Sequence, residues 1–407
     1  MTVALAVHGG SPTRTAPFPS WPQFDATDER ALAAVLHSGR WGMADRIDEF
    51  EATFAAYQEA EYGISLNSGT TALQVAVAAV GVGPGDEVIV PSYTFVATAS
   101  SVAAVGGVPI FVDVLEDTYN IDPGAVEEAL TEKTRAVIAV HIGGQPADLD
   151  ALRELSNQRG IALIEDAAQA HGAAWKGRKV GAIGDLGTFS FQASKNLTAG
   201  EGGAVVSNDR ELADRAWSAH NCGRSRTGLW YEHPRLGSNY RMSEFHAALL
   251  LSQLEHLDGQ IATRSRNAQL LTSLLSEVDG LTPLEVDERV TTHAYHLYIL
   301  RFDSAGFGGI SRETFLEALT AEGIPCASGY RPLYGEAAFT KSFADYPLET
   351  PYFAGKPDYG RFECPVTERI CAEESVWLTQ NLLLGEEADI RDIAAAVAKI
   401  REHADQL

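Results

Sequence analysis

The stretch Gly184–Asn208, GDLGTFSFQASKNLTAGEGGAVVSN, sets one lysine, Lys195, in a glycine-flanked loop between two strand-like runs. Apolar and small polar residues alternate through Thr188, Phe189, Ser190 and Phe191, and Ala204 to Val206 is wholly apolar, so both flanks read as buried strands. Gly200, Gly202 and Gly203 permit tight backbone before the second run. A lysine held this way emerges from the interior rather than from a solvated helix face. Loss of hydration depresses its pKa and frees its lone pair, the state that Schiff-base chemistry with a carbonyl requires.

Outward from this loop, short apolar strands alternate with helical segments. The strands are expected at Glu87 to Val90, Pro109 to Val114, Ala136 to His141, Ala162 to Glu165, Gly187 to Phe191 and Gly203 to Ser207. Helical periodicity occupies ERALAAVLHSG, IDEFEATFAAYQEA, TTALQVAVAAV, DPGAVEEALTEK and DLDALRELSNQRG. Such alternation predicts an α/β fold with a mainly parallel sheet covered on both faces. After Asn239 the texture changes to long amphipathic helices over about 243–275. A strand in HAYHLYILRF, a capped helix beginning SRETFLEAL and a last helix from about Glu386 to Ala404 follow, together a smaller α+β domain. The expected organisation is an irregular arm over 1–25, a large domain over 26–258 and a small domain over 259–407. Gly81, Gly83 and Gly85 form G-x-G-x-G but follow a helix and precede a strand, the reverse of the dinucleotide-binding order, so they read as a helix cap and turn.

The 407 residues suffice for two cores, and 45% hydrophobic with 21% charged residues is ordinary for a globular enzyme. A net charge of −24 argues against nucleic acid or an anionic membrane as partner. The four cysteines, Cys222, Cys326, Cys364 and Cys371, contain no C-x-x-C pair, which points to reduced thiols in a cytoplasmic protein and away from a zinc site. No run approaches 18 apolar residues, so no membrane span or metal centre is expected.

If Lys195 serves pyridoxal phosphate, other residues must hold the phosphate, the ring nitrogen and the ring face. Asn67, Ser68, Gly69, Thr70 and Thr71 stand directly before a helix, where free N–H groups, hydroxyls and the positive helix end converge on an anion. Asp166 follows an apolar strand at its C-terminal end, where α/β sheets place ligand-binding groups, and a carboxylate there keeps a pyridinium nitrogen protonated. Gln169 and His171 lie within reach of the same ring, and Phe95 in PSYTFVATA opens a helix from which it can lie against the ring face. Each signal alone has a plain structural reading; their order along the chain is what carries weight.

With SGTTAL, PSYTFVATAS, EDAAQAHGA, GTFSFQASKNLTAGEGGAVV and GSNYRMSEFHAA in place, the chain resembles the DegT/DnrJ/EryC1/StrS family of sugar and cyclitol aminotransferases over nearly its whole length. The resemblance implies the fold-type I architecture of aspartate aminotransferase, a homodimer with its sites at the subunit interface, and pyridoxal 5'-phosphate as cofactor. It implies Lys195 as Schiff-base lysine, Asp166 on the pyridinium nitrogen and Gln169 beside the phenolate oxygen. Ser68, Gly69, Thr70, Thr71 and Ser190 would hold the phosphate, Phe95 would face the ring, and Asn239 would reach the phosphate of the neighbouring subunit.

Where the nucleotide-sugar branch carries Y-x-P-L-H, this chain has Tyr330-Arg331-Pro332-Leu333-Tyr334. Together with SVWLTQNLLLG, that departure is more similar to enzymes acting on cyclitol ketones and to 3-amino-5-hydroxybenzoate synthases. The implied reaction is a two-stage transamination with glutamine or glutamate as donor, in which Lys195 moves the proton. Trp41, His296, Tyr330, Arg331 and Tyr334 are the expected substrate contacts.

Overall fold

A computed structural model describes residues 4–341 and 358–407. Seven strands build the main sheet: β1 (Tyr62–Leu66), β2 (Glu87–Pro91), β3 (Val108–Val112), β4 (Thr134–Val140), β5 (Ala162–Asp166), β6 (Leu186–Ser190) and β7 (Gly203–Ser207). Their spatial order is β1-β7-β6-β5-β4-β2-β3. β7 runs antiparallel to both of its neighbours, and the other adjacent pairs are parallel. The expected mainly parallel α/β sheet is therefore present.

Alternate residues of these strands feed two separate cores, as the period of two requires. Ile89, Val137, Leu163 and Phe189 face one core with Phe50, Phe54, Leu152 and Leu257. Val88, Val90, Ile138 and Ile164 face the other with Leu73, Val77 and Val102. Helices thus cover both faces, and the strands' C-terminal ends are left as the edge on which a site can be built.

The first strand, YGISL, is absent from the expected set. It is short, and Gly63 sits where a Cβ would lie 2.5 Å from the carbonyl oxygen of Glu51, so close helix packing rather than side-chain pattern selects it. The helix Glu244–Leu275 runs 32 residues without a break through the expected boundary at Gly259. Its Leu250, Leu257 and Ile261 belong to the large core, whereas Ala268, Leu271 and Leu275 belong to the small one.

The small domain carries an antiparallel sheet of Leu281–Pro283, Leu297–Phe302 and Ser375–Thr379, covered by the helices Arg312–Ala321 and Glu387–Glu402. The N-terminal arm is irregular apart from a 3-10 turn at Ala6–His8. It is nonetheless anchored to this domain: Leu5 is buried in its core, Glu322 accepts from Ala6 and Thr13, and Arg14 pairs with Asp389 and Asp392.

Candidate active site

The last residue of β5, Asp166, is buried at the sheet's C-terminal edge. Its Oδ2 accepts from the Thr98 hydroxyl at 2.9 Å, and its Oδ1 accepts from the Ala168 N–H at 3.2 Å. Because Thr98 spends its proton on Asp166, the Thr94 hydroxyl 3.1 Å away donates to Thr98. Burial raises the carboxyl pKa of Asp166 above its ordinary value, against the opposing pull of Thr98, Ala168 and Lys195. Among the described residues it makes no ion pair, and the strongest charge acting on it is that of Lys195.

The preceding residue, Glu165, points to the opposite face and is committed to structure. It accepts from Gly181, Ile183 and Gly184 N–H groups and from His141 Nε2 at 3.0 Å. The Ala147 N–H donates to His141 Nδ1, so the ring proton resides on Nε2 and is the one given to Glu165. These contacts fix the turn entering β6, and with it the lysine loop.

Lys195 lies in that loop, pinned by its own N–H to Gln192 O at 2.8 Å and by Ala193 N–H to Gly200 O at 2.9 Å. Thr198 ties the loop's far side to Phe191 O. Desolvation lowers the amine's pKa from 10.5 to about 8, although the charge of Asp166 pulls it upward. The two side chains singled out first in the sequence are therefore electrostatically coupled in the fold.

Ser68 caps the helix Gly69–Ala79, accepting from Thr71 N–H at 3.1 Å, while its hydroxyl and that of Thr71 lie 3.0 Å apart. Ser190 ends β6 beside this first turn: a Cβ on Gly69 would come 2.6 Å from Ser190 Cβ. A Cβ on Gly203 would likewise sit 2.2 Å from Ser68 O, so both glycines are required by close backbone approach. Ser68, Gly69, Thr70, Thr71 and Ser190 thus come together in one corner at a helix N-terminus, where free N–H groups and the positive helix end converge.

Gln169 has its amide orientation fixed. Oε1 accepts from Gly143 N–H at 2.7 Å, and Nε2 donates to the Tyr330 hydroxyl at 3.0 Å, which leaves one amide hydrogen to offer. Tyr330 is wedged edge-on against Trp377 and Tyr93, with ring centroids 4.6 and 5.5 Å away. Tyr93 in turn accepts from Trp377 Nε1 and bonds Ser375, joining the small domain to this wall.

The other expected residues divide. His296 is buried beside Asn196, and Phe95 is exposed just before the helix Ala97–Ala104 that carries Thr98. Trp41 and Arg331 are exposed, Trp41 leaning on Phe245. Asn239 is exposed on a segment whose next residue, Tyr240, accepts from Asn67 N–H, which brings it alongside the Ser68 to Thr71 corner. His171 is fully buried with its ring against Phe189 and Phe191, and burial, with the charge of Lys195, lowers its pKa to about 3. Tyr334 also departs from expectation. Its hydroxyl donates to Glu368 at 2.5 Å and its ring is buried with Phe111 and Phe362, so it serves packing rather than substrate. Thr98 is the functional side chain that sequence reading missed; the i, i+4 spacing of Thr94 and Thr98 in PSYTFVAT was its only signal.

The family model for DegT/DnrJ/EryC1/StrS aminotransferases matches residues 22–398. The L-glutamine:2-deoxy-scyllo-inosose aminotransferase of Streptoalloteichus tenebrarius is 42% identical over 424 residues, covering 100% of both chains. The 3-amino-5-hydroxybenzoate synthase of Amycolatopsis mediterranei is 38% identical, covering 95% of this chain and 98% of that one. Among solved structures, the crystal structure of 3-amino-5-hydroxybenzoic acid synthase superposes with a TM-score of 0.86 at 37% identity, over 95% of this chain and 99% of that chain. A desolvated lysine coupled to a strand-end carboxylate, in a fold-type I frame with relatives of this kind, places the chain in the DegT/DnrJ/EryC1/StrS aminotransferase family.

Proposed function

We propose that this aminotransferase binds pyridoxal 5'-phosphate and moves the amino group of L-glutamine onto a ring ketone of a cyclitol. The observation that carries the reading is the pair itself: a desolvated Lys195 amine in the field of a buried Asp166 carboxyl. When bound, the cofactor supplies an aldehyde for the lysine and a ring that draws electrons from the reacting carbon.

Asp166 would hold the ring nitrogen in its protonated form, anchored by Thr98. Gln169 would give its free amide hydrogen to the phenolate oxygen, Phe95 would lie on the ring face, and the Ser68 to Thr71 corner with Ser190 would hold the phosphate. Lys195, once displaced by the incoming amine, would take the proton from the donor's Cα and return it across the nitrogen to the carbon on the cofactor side, which an amine titrating near 8 can do at neutral pH. In the second half the same groups would act in reverse on the ketone, with Trp41, His296, Tyr330 and Arg331 as the side chains offered to substrate.

A homodimer completes the reading. Leu229, Trp230, Tyr231 and Leu236 are 77 to 99% exposed on the segment that precedes Asn239, an apolar surface suited to a second copy. Asn239 would then reach the partner's phosphate. The cytoplasm is the proposed location, supported by four free cysteines; among the described residues no helix is long and apolar enough to cross a membrane.

The substrate follows from the 42% identical cyclitol relative, and the 38% identical aromatic synthase supplies the competing reading. Incubation with glutamine and either 2-deoxy-scyllo-inosose or an aminated dehydroshikimate-type precursor separates them by product mass. The proposed function predicts an aminocyclitol that Lys195→Ala abolishes. An aromatic amine alone, or turnover that survives Lys195→Ala, overturns it.

A further inference from the structure

The chain returns to the small domain, after the strand Val290–Thr292 that pairs with Ala174–Trp175, through a kink at residues 293–296 that is bolted to both halves of the site. Tyr295 adopts φ +48°, a region uncommon for an aromatic residue, where strain persists only if the surroundings impose it. Ala294 N–H donates to Gly144 O at 3.0 Å, next to the Gly143 that orients Gln169. From the other side, Asn196, the residue after Lys195, donates Nδ2 to Ala294 O at 2.7 Å.

That last bond settles a tautomer. A carbonyl only accepts, so the Asn196 nitrogen faces Ala294 and its Oδ1 faces His296 Nδ1, 3.1 Å away. Nδ1 must therefore carry the ring proton. Burial holds the imidazole well below its ordinary pKa, and Lys195, His171 and Arg264 add to the effect, so His296 is neutral and its Nε2 is a bare acceptor. The groups that act on it electrostatically are cationic or neutral, and none is a carboxylate.

We propose that His296 is a specificity-determining residue whose Nε2, held bare by Asn196, accepts a hydrogen bond from a hydroxyl on the carbon beside the ketone. The inference rests on the proposed function for its substrate class. The reacting carbonyl must come to the end of Lys195, and His296 is held by the next residue, Asn196, and feels the Lys195 charge, so the substituents on the carbons beside the carbonyl are assigned to its side. An acceptor without a proton selects a hydroxyl there over a methylene, because a buried acceptor left unpaired is costly. On the carbon attached to its reacting centre the amino-acid donor carries a carboxylate, which has no proton to give at that position, so the effect belongs to the ketone half-reaction.

The test joins kinetics to spectroscopy. For wild type, His296→Leu and His296→Gln, the holoenzyme is assayed in each half-reaction, using glutamine, a polyhydroxylated cyclohexanone with a hydroxyl beside the carbonyl, and its analogue with methylenes on both sides. The leucine variant is expected to lose about 10- to 100-fold in kcat/KM for the hydroxylated ketone, at least tenfold more than for the methylene analogue or for glutamine. Glutamine at 296 restores an acceptor and most of the loss. Nitrogen NMR of histidine-labelled protein, assigned by the 296 variants, is expected to show Nδ1 protonated and Nε2 bare, and Asn196→Leu is expected to mix the tautomers. Equal losses for both ketones, or a proton on Nε2, overturn the inference while leaving the aminotransferase reading intact. A wild-type protein that aminates neither ketone overturns the proposed function and this inference together.

Discussion

The pKa of Lys195 is the most quantitative consequence of the site. A fall from 10.5 to about 8 makes the ammonium about 3.4 kcal/mol less favoured than in water. At pH 7, an amine titrating at 8 is free in about one molecule in ten, against about one in three thousand for an ordinary lysine, a gain of roughly 300-fold in nucleophile. The chain has seven lysines, so reductive methylation with labelled formaldehyde in cofactor-free protein gives few signals to follow. Carbon NMR across about pH 6 to 11 should show one lysine signal, lost in Lys195→Ala, that titrates near 8. The Asp166 charge raises the Lys195 pKa, so Asp166→Asn should move that signal lower still. A Lys195 that titrates near 10.5, or one that rises in Asp166→Asn, would refute the account of a desolvated amine balanced by a buried carboxylate.

Other perturbations reach the same site from different elements. Thr98→Val removes the 2.9 Å hydrogen bond to Asp166, and because bonds to charged groups contribute about 1.5–3 kcal/mol, cofactor affinity measured by absorbance titration should fall about tenfold or more. Gly69→Ala puts a Cβ 2.6 Å from Ser190 Cβ, so protein that still folds by circular dichroism should purify with little bound cofactor; full occupancy would show that this turn does not hold the phosphate. Replacing the exposed Trp230 and Leu236 together with serine should shift the mass in analytical ultracentrifugation from dimer toward monomer, and an unchanged dimer would place the interface elsewhere.

What the sequence disclosed follows a physical division. Strands buried on both faces announce themselves by apolar runs between glycines, so the sheet, the Lys195 loop and the strand-end position of Asp166 were legible. β1 was not, because YGISL owes its place to pairing with β7 and to close approach of Glu51 at Gly63. Groups that act by orienting others were equally silent: the bonds of Thr98 to Asp166, Gly143 to Gln169 and Asn196 to His296 span 26 to 100 residues of chain and leave no periodic trace. Tyr334 misled for the same reason. A tyrosine near a motif looks available until the fold shows its hydroxyl committed to Glu368 and its ring to Phe111.

The central claim is that Lys195 and Asp166 carry an amino group from glutamine to a cyclitol ketone, and isotope transfer addresses it most directly. Holoenzyme incubated with glutamine labelled with nitrogen-15 at the α-amino group and with 2-deoxy-scyllo-inosose is predicted to yield an aminocyclitol one mass unit heavier than the unlabelled product. Neither Lys195→Ala nor Asp166→Asn should match that yield. An unlabelled amine, or full labelled yield from the Lys195→Ala protein, would contradict the account.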